Sequence, residues 1–568
     1  MIAFISANLA PIMFISMVGF LLIGFPIAFS LSACGLLFGF IGIELGLLSP
    51  SLFSAIPDRL FGLMMNETLL AVPFFTFMGL ILERSGMAED LLDTIGQLFG
   101  SVRGGLAYAV ILVGAMLAAT TGVVAASVIS MGLISMPIML RYGYDARLAS
   151  GVIAASGTLA QIIPPSLVLI VLADALGQSV GDMYRGAFLP GLLLTVAYAL
   201  FVFGCTIFWP KSAPAVPAEA RTLVGPPGAT GLRSLAVLGV IFVFVAVAAG
   251  QFLPDTMKGD EAFVARIAVA VALVYTLAIL NFRLGMTWLS PVAMKTVFTL
   301  VPPFALIFLV LGSIFVGLAT PTEGGAMGAT GALGLALLRR RLDMSLLRQA
   351  IGVTARLTSF VMFIVVGARM FSLTFYGVNG HIWVEHLFDA LPGGELQFLL
   401  VVNLLIFVLA FFLDFFEIAF IVIPLLVPVA QKMGIDLVWL GILLSVNMQT
   451  SFMHPPFGAA LFFLRSVAPK VPYNDAVTGR RMPKVTWGQI IAGAIPFVII
   501  QLIMVGVLIA FPALVRIGLQ KKTVIDKAIV EQSLKGLDSV FGADGKAGDG
   551  LGGLDADTEG SINGLNSK

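Results

Sequence analysis

The chain is poor in charge. Only 11% of its 568 residues are Asp, Glu, Lys or Arg, where a soluble domain carries roughly 25%. Its 32 basic and 31 acidic residues nearly cancel, so nothing suggests a nucleic-acid partner. Cysteine is scarce. Cys34 and Cys205 both lie in apolar segments and supply neither a disulfide framework nor metal-ligand spacing. They read as small buried hydrophobes. No G-x-x-x-x-G-K-[ST] stretch occurs, so the loop that cradles nucleotide phosphates is missing and ATP is not hydrolysed by this chain. No nucleophile–base constellation or metal cluster is evident, which weighs against an enzyme.

What is present is hydrocarbon. The chain is 59% hydrophobic with a mean hydropathy of +1.05. No single soluble core could bury this surface. A bilayer can, at about 20 apolar residues per spanning helix. Apolar segments fall at about 8–24, 27–48, 68–83, 105–140, 148–173, 184–209, 234–253, 262–281, 297–318, 323–338, 353–375, 396–430, 437–468 and 487–515. The N-terminal one has no basic flank or small-residue cleavage site and reads as the first span, not as a removed signal.

One motif occurs twice. Pro137-x5-Gly143-x-Asp145 is followed after 18 residues by Pro164-Pro165, and Pro428-x5-Gly434-x-Asp436 is followed after 18 residues by Pro455-Pro456. Arg141 in one copy matches Lys432 in the other. An internal duplication follows. Duplicated halves with Pro/Gly-broken apolar segments at matching positions mark a secondary transporter. The halves are 1–209 and 290–516, joined by a polar, Pro-rich linker at 210–233 and an inserted pair of transmembrane helices at 234–281. Residues 523–568 are charged and Gly-rich, the composition of a disordered tail.

The stretches at about 105–140 and 396–430 are too long for one span. Each carries small or polar residues at its middle, Ala119-Thr120-Thr121-Gly122 and Asp414-Phe415-Phe416-Glu417. A re-entrant hairpin explains both features, since non-helical backbone at that depth survives only when buried or lining a cavity. The segments at about 148–173 and 437–468 read as broken helices, because each proline pair removes backbone donors and disfavours the preceding helical residue. The freed carbonyls, with nearby Ser, Thr, Asn and Gln oxygens, suit a hard cation such as Na⁺. The half-helix that restarts after each break points its positive end at an anion. A proline kink with hydroxyls bonded back to the helix is the plainer alternative.

Other polar residues stay open. Thr320-Pro321-Thr322-Glu323 opens a helix as a cap or joins a cation pathway. Arg369, Asp414, Glu417 and His454 sit in apolar surroundings, where charge is costly and functional by default. Arg369 pairs with a substrate carboxylate, pairs with Glu417, or snorkels. Asp414 coordinates a cation or caps its hairpin. His454 is a packed histidine or a proton relay. Basic clusters at 339–348, 465–484 and 516–522 mark cytoplasmic loops by the positive-inside rule.

Several of these stretches carry a family likeness: Val72-Pro73-Phe74-Phe75 through Glu83-Arg84, Thr121-Gly122-Val123, Ser156 through Ser166, Gly317 to Gly328, Phe411-Phe412-Leu413-Asp414, and Asn447 through Gly458. The chain resembles the large membrane (M) subunit of tripartite ATP-independent periplasmic (TRAP) transporters, the dicarboxylate-transporter M family, in its extended branch. The resemblance spans most of 8–516. It implies an all-α polytopic protein of inverted repeats, with two re-entrant helical hairpins and two broken helices, in the elevator-type ion-transporter superfamily architecture. It implies Na⁺-coupled import of an organic acid across the bacterial inner membrane, without ATP. A periplasmic binding protein would deliver the substrate. A small four-helix membrane subunit would be a separate chain, since no such block precedes residue 8 here.

Carried over by position, the resemblance implies Na⁺ ligands at Thr120, Thr121 and Gly122 with Gly157 and Thr158. A second set falls at Asp414 with Asn447, Gln449 and Thr450. Substrate contacts are expected around the breaks, at Ser156, Pro164, Pro165, Ser166, Pro455 and Pro456, and at Arg369. No transition metal is expected. Two rivals remain: an ion/carboxylate symporter that needs no binding protein, and a membrane-embedded enzyme.

Overall fold

A computed structural model describes residues 2–217, 231–253, 257, 259–285, 288–389, 393–411, 413, 415–455, 458–475 and 477–519. The tail expected at 523–568 lies outside the described residues, as do Asp414, Pro456 and most of the linker at 218–230.

The repeated Pro-x5-Gly-x-Asp motif turns out to be a joint between two helices. Gly143 (φ 83°) and Gly434 (φ 72°) end helices Val124–Arg141 and Ile423–Lys432 in the left-handed conformation, which suits glycine because it has no Cβ. Two residues later an aspartate caps the next helix. Asp145 accepts from Arg147 N at 2.7 Å, and Asp436 accepts from Val438 N and Trp439 N at 2.9 and 3.1 Å. The caps open helices Ala146–Thr158 and Leu437–Ser451. Asp436→Ala is therefore expected to destabilise the protein by about 1 kcal/mol, read as a lowered thermal midpoint in detergent. A midpoint equal to wild type would show the cap to be dispensable.

Among the described residues nine helices are long and apolar enough to cross a membrane, ten if the pair Pro50–Met64 and Glu67–Arg84, bent by 47°, is one span. Helix Val180–Phe208 has 29 residues, about 43 Å at 1.5 Å per residue. It defines two faces of the molecule, one at its end and one at its start.

Helices Gly105–Thr121 and Val124–Arg141 pack together and turn at Gly122. Both open ends of this hairpin meet one strand of chain beyond Phe208: Gly104 N donates to Ala213 O at 2.9 Å and Asp145 N to Ser212 O at 3.0 Å. The hairpin thus enters and leaves at the first face, as a re-entrant segment must. The second hairpin runs from Gly394–Leu409 to Phe415, through a π-helical turn, Ile418–Val422, and on to Ile423–Lys432; Leu437–Ser451 packs on both arms. Its final arm ends at the other face, where Asp436 lies 4.0 Å from Arg516 Nε and Gly186 abuts Val438 and Val515. The two hairpins open on opposite faces, so the repeats are inverted.

Packing between halves is reciprocal, as inverted repeats require. Ala146–Thr158 lies on the arms of the first hairpin, and Leu437–Ser451 on those of the second. Val124–Arg141 packs on Ala459–Val467, and Ile423–Lys432 packs on Leu167–Leu176. Trp487–Ala510 crosses Ala146–Thr158, while Val180–Phe208 lies along Leu437–Ser451. Outside this core, Ile27–Glu44 packs on Met344–Gly377 and Glu67–Arg84 on Pro321–Leu338. Helices Gly231–Phe252 and Asp260–Arg283 pack on each other and on Pro291–Val316.

Two features differ from the sequence reading. Helix Met87–Phe99 buries Met87, Leu91, Leu92 and Ile95 on one side, yet Glu89, Asp90 and Asp93 break the apolar run that would have revealed it. The basic clusters also divide. Arg339 and Arg341 pair with Asp90 of helix Met87–Phe99, whose end is tied to the first face by Val216 N donating to Gly100 O, and Arg141 pairs with Asp475, which puts 339–348 and 465–484 on the first face. Arg516 sits on the second, beside Asp436.

Candidate functional site

The site grows from two helices that stop half-way. Ala146–Thr158 is buried from Leu148 onward, passes through a tight turn at Leu159–Gln161, crosses the cis Pro164–Pro165 bond and restarts at Leu167–Leu176. Leu437–Ser451 is buried throughout and restarts at Ala459–Val467. Hydroxyls at both breaks bond back to their own helices: Ser156 to Val152 O at 2.6 Å, Thr158 to Ala155 O at 2.9 Å, Thr450 to Asn447 O at 2.6 Å and Ser451 to Met448 O at 2.5 Å. The freed Gln161 carbonyl accepts from Ser166 Oγ at 2.9 Å and from Ser445 Oγ of the other half at 3.1 Å. Part of the backbone polarity released by the first break is thus satisfied across the repeat interface.

Each break meets its hairpin. A Cβ on Gly157 would lie 2.4 Å from Val128 Cγ2, and one on Gly114 would lie 2.4 Å from Ser156 Cβ. Only small residues let these backbones approach so closely. In the second half the matching contact is polar: Asn447 Nδ2 donates to Asn403 O at 2.7 Å and Oδ1 at 3.0 Å. At the first tip Gly122 (φ 59°) abuts Leu167, the first residue after the break. Thr120 and Thr121 fall in the last helical turn before it, but their side chains lie outside the described residues. At the second tip the His454 ring stacks on Phe411 with centroids 3.9 Å apart and meets the Phe407 ring at 5.0 Å. His454 is 2% exposed, and both its ring nitrogens lack a hydrogen-bond partner.

The two halves meet at one buried node. Gln449 Nε2 donates to Thr158 Oγ1 at 3.2 Å across 291 residues. This is the offset that relates Pro137 to Pro428 and Pro164 to Pro455, so the bond joins repeat-equivalent positions and lies on the pseudo-two-fold axis. Gln449 Nε2 also reaches Tyr198 Oη at 3.3 Å, and Gln501 Nε2 donates to the same phenol oxygen at 2.8 Å. All four side chains are fully buried. Gly122, Gly157, Thr158, Asn447, Gln449 and Thr450 therefore gather around the breaks with Ser156, Ser166, Pro164, Pro165 and Pro455. Arg369 is not gathered with them; it is exposed on helix Met344–Gly377. Thr320 and Glu323 form a capping box, with Thr320 N donating to Glu323 Oε2 at 2.8 Å and Glu323 N to Thr320 Oγ1 at 3.3 Å. Among the described residues no group of three His, Cys, Asp or Glu is placed to hold a metal ion.

Residues 14–514 match the family model described as tripartite ATP-independent periplasmic transporter, DctM component. The chain belongs to this family. It is a component of a secondary transporter, not an enzyme. The C4-dicarboxylate TRAP transporter large permease protein DctM of Vibrio cholerae is 30% identical over 80% of this chain and 89% of its own. The protein of the same name from Pseudomonas aeruginosa is 29% identical over 82% and 90%. The 2,3-diketo-L-gulonate TRAP transporter large permease protein YiaN of Escherichia coli is 24% identical over 82% and 91%.

Tyr198, Gln501 and Asn403 escaped the sequence reading. Each was visible as an isolated polar side chain in a long apolar helix, which is costly without a partner. The partners of Tyr198 lie 251 and 303 residues away and that of Asn403 lies 44 away on another helix, so only the fold reveals them.

Proposed function

We propose that this chain imports a small organic acid together with Na⁺, as the large subunit of a transporter in the bacterial inner membrane. A periplasmic binding protein delivers the acid, and a separate small four-helix subunit completes the membrane part. The observation that carries the reading is the convergence of both hairpins and both helix breaks, from opposite faces, onto one axis. Na⁺ is held at the first tip by Gly122, Gly157 and Thr158 with Thr120 and Thr121, and at the second by Asn447, Gln449, Thr450 and Asp414. The restarted helices at Leu167 and Ala459 turn their positive ends toward the substrate carboxylate. The hairpins and broken helices slide as one body against the remaining helices, an elevator. The basic first face is cytoplasmic by the positive-inside rule.

The test is uptake of labelled organic acids into proteoliposomes holding this chain and its small subunit, with the binding protein outside. Uptake should require both an inward Na⁺ gradient and the binding protein. Uptake without the binding protein would favour a simple symporter, and uptake indifferent to Na⁺ would remove the coupling ion. Asn447→Ala should raise the half-saturating Na⁺ concentration at least ~10-fold, since a hydrogen-bonding ligand to a charge contributes about 1.5–3 kcal/mol. An unchanged Na⁺ curve would take Asn447 out of the site.

A further inference from the structure

We propose that Tyr198 and Gln501 are positioning residues that couple the two cation sites to each other, through the node on the pseudo-two-fold axis. The inference rests on the Na⁺ reading above and adds cooperativity to it. Thr158 is the last residue of one half-helix, and Gln449 lies two residues before the end of the other. Each belongs to a different proposed site, yet they touch. A cation that reorients one terminal turn therefore acts on the other site through a single hydrogen bond.

Tyr198 and Gln501 clamp that bond from outside both sites. The phenol oxygen receives Nε2 of both glutamines, and Gln501 Nε2 and Thr158 Oγ1 each reach Met453 Sδ at 3.5 Å. The Tyr198 ring is held edge-on by Phe497 at 5.2 Å. Every side chain of the node is buried, so water cannot uncouple it. The node also has a second arrangement open to it. Gln449 Oε1 and Gln501 Oε1 are buried without a partner, and a tyrosine hydroxyl donates as well as accepts. Turning either amide over presents its oxygen to the phenol O–H in place of its nitrogen. Two discrete hydrogen-bond arrangements, each compatible with a packed core, form the kind of bistable element through which two sites bias one another. Neither Tyr198 nor Gln501 belongs to a cation site, so their effect should appear in the coupling.

The experiment titrates Na⁺ against uptake in proteoliposomes of the full complex. In parallel it titrates Na⁺ against the thermal midpoint of the purified membrane complex without substrate. Wild type is expected to respond with a Hill coefficient well above one. Tyr198→Phe removes one oxygen and keeps the ring on Phe497; Gln501→Leu removes the second clamp. Both should bring the Hill coefficient to about one and raise half-saturating Na⁺ by ~5-fold or more, within the usual range of coupling between sites. Their midpoints without Na⁺ should fall modestly, since each loses a buried hydrogen-bond partner, while their maximal uptake rates should stay near wild type. Variants that keep the wild-type Hill coefficient would overturn the proposal. So would a Phe variant that fails to fold, which would make the node purely structural. A wild type that needs Na⁺ but shows no cooperativity would overturn the coupling and leave the Na⁺ reading standing. A wild type indifferent to Na⁺ in both titrations would remove the two together.

Discussion

Gly493→Val should yield little or no folded protein. Helices Trp487–Ala510 and Ala146–Thr158 cross with their backbones in contact. A Cβ built on Gly493 falls 2.0 Å from Arg147 O, and one built on Gly151 falls 2.1 Å from Gly493 O. These are backbone atoms on both sides, so no side chain can swing away. The crossing also seats Gly151 against Phe497, whose ring supports Tyr198. Without a hydrophobic driving force between helices in lipid, such close contact is a main source of association. Overpacking in a dense core costs about 1–3 kcal/mol and occasionally more, and forcing this crossing apart should lie at or beyond the upper end. Gly506→Ala on the same helix is the control, since nothing lies within 4 Å of its added Cβ; it should be neutral or slightly stabilising. The measurement is the yield of monodisperse protein and its thermal midpoint in detergent. Equal yields for both variants would mean that the helices separate freely, contrary to the packing described.

The origin of that crossing was partly legible. Apolar length and the paired motif mark the halves, the hairpins and the breaks, because hydrocarbon burial and proline chemistry act locally along the chain. The small residues Ala119 to Gly122 announce a tip for the same reason. The motif itself was read as the sign of a duplication, and its physical content is a left-handed glycine followed by an aspartate cap. That joint is local and could be read from Gly-x-Asp alone.

What was not legible depends on which distant groups meet. The Gln161 carbonyl looks free from the proline pair, yet Ser445 reaches it from the other half. Thr158 and Gln449 were placed in separate cation sites, and nothing in one sequence says that equivalent residues of inverted repeats touch where the axis passes. Arg369 sits in an apolar run where substrate contact, pairing with Glu417 and snorkelling were all open, and only the fold shows that the helix turns it outward. Helix Met87–Phe99 was hidden by acids on its outer side, some of which bond to Arg339, Arg341 and Lys295. The basic stretch at 516 looked like its two predecessors. Helix Trp487–Ala510 carries it across to the opposite face.

The second large effect is expected at the open end of the first hairpin. Asp475 is 3% exposed and sits in the loop that follows the second broken helix, between strands Tyr473–Asn474 and Arg481–Met482. Arg141 ends the second hairpin arm. Its Nε lies 2.9 and 3.0 Å from the two carboxylate oxygens, and its Nη2 lies 2.8 Å from Oδ1. Thr478 adds its N–H at 2.8 Å and its hydroxyl at 2.6 Å. The carboxylate is thus filled from both sides and fastens one repeat to the hairpin of the other. Asp475→Asn removes the charge and keeps the shape, leaving a mostly buried guanidinium without its partner. A hydrogen bond to a charged group contributes about 1.5–3 kcal/mol, and a loss in that range is expected here, where the Arg141 side chain keeps 18% of its exposure.

The same geometry predicts a dependence on pH. The Arg141 guanidinium, then the Thr478 donors, hold the Asp475 carboxyl down to about 2 from an ordinary 3.8. A carboxylate whose folded pKa is depressed stabilises the fold above its unfolded value and loses that contribution as pH falls toward the folded one. Wild type should therefore lose stability between pH 4 and 2 in excess of the Asn variant, and the two curves should converge at the acid end. Parallel curves across that window would mean that Asp475 and Arg141 are no more coupled folded than unfolded. The hairpin would then be held at its open end by its packing and by the backbone bonds to Ser212 and Ala213.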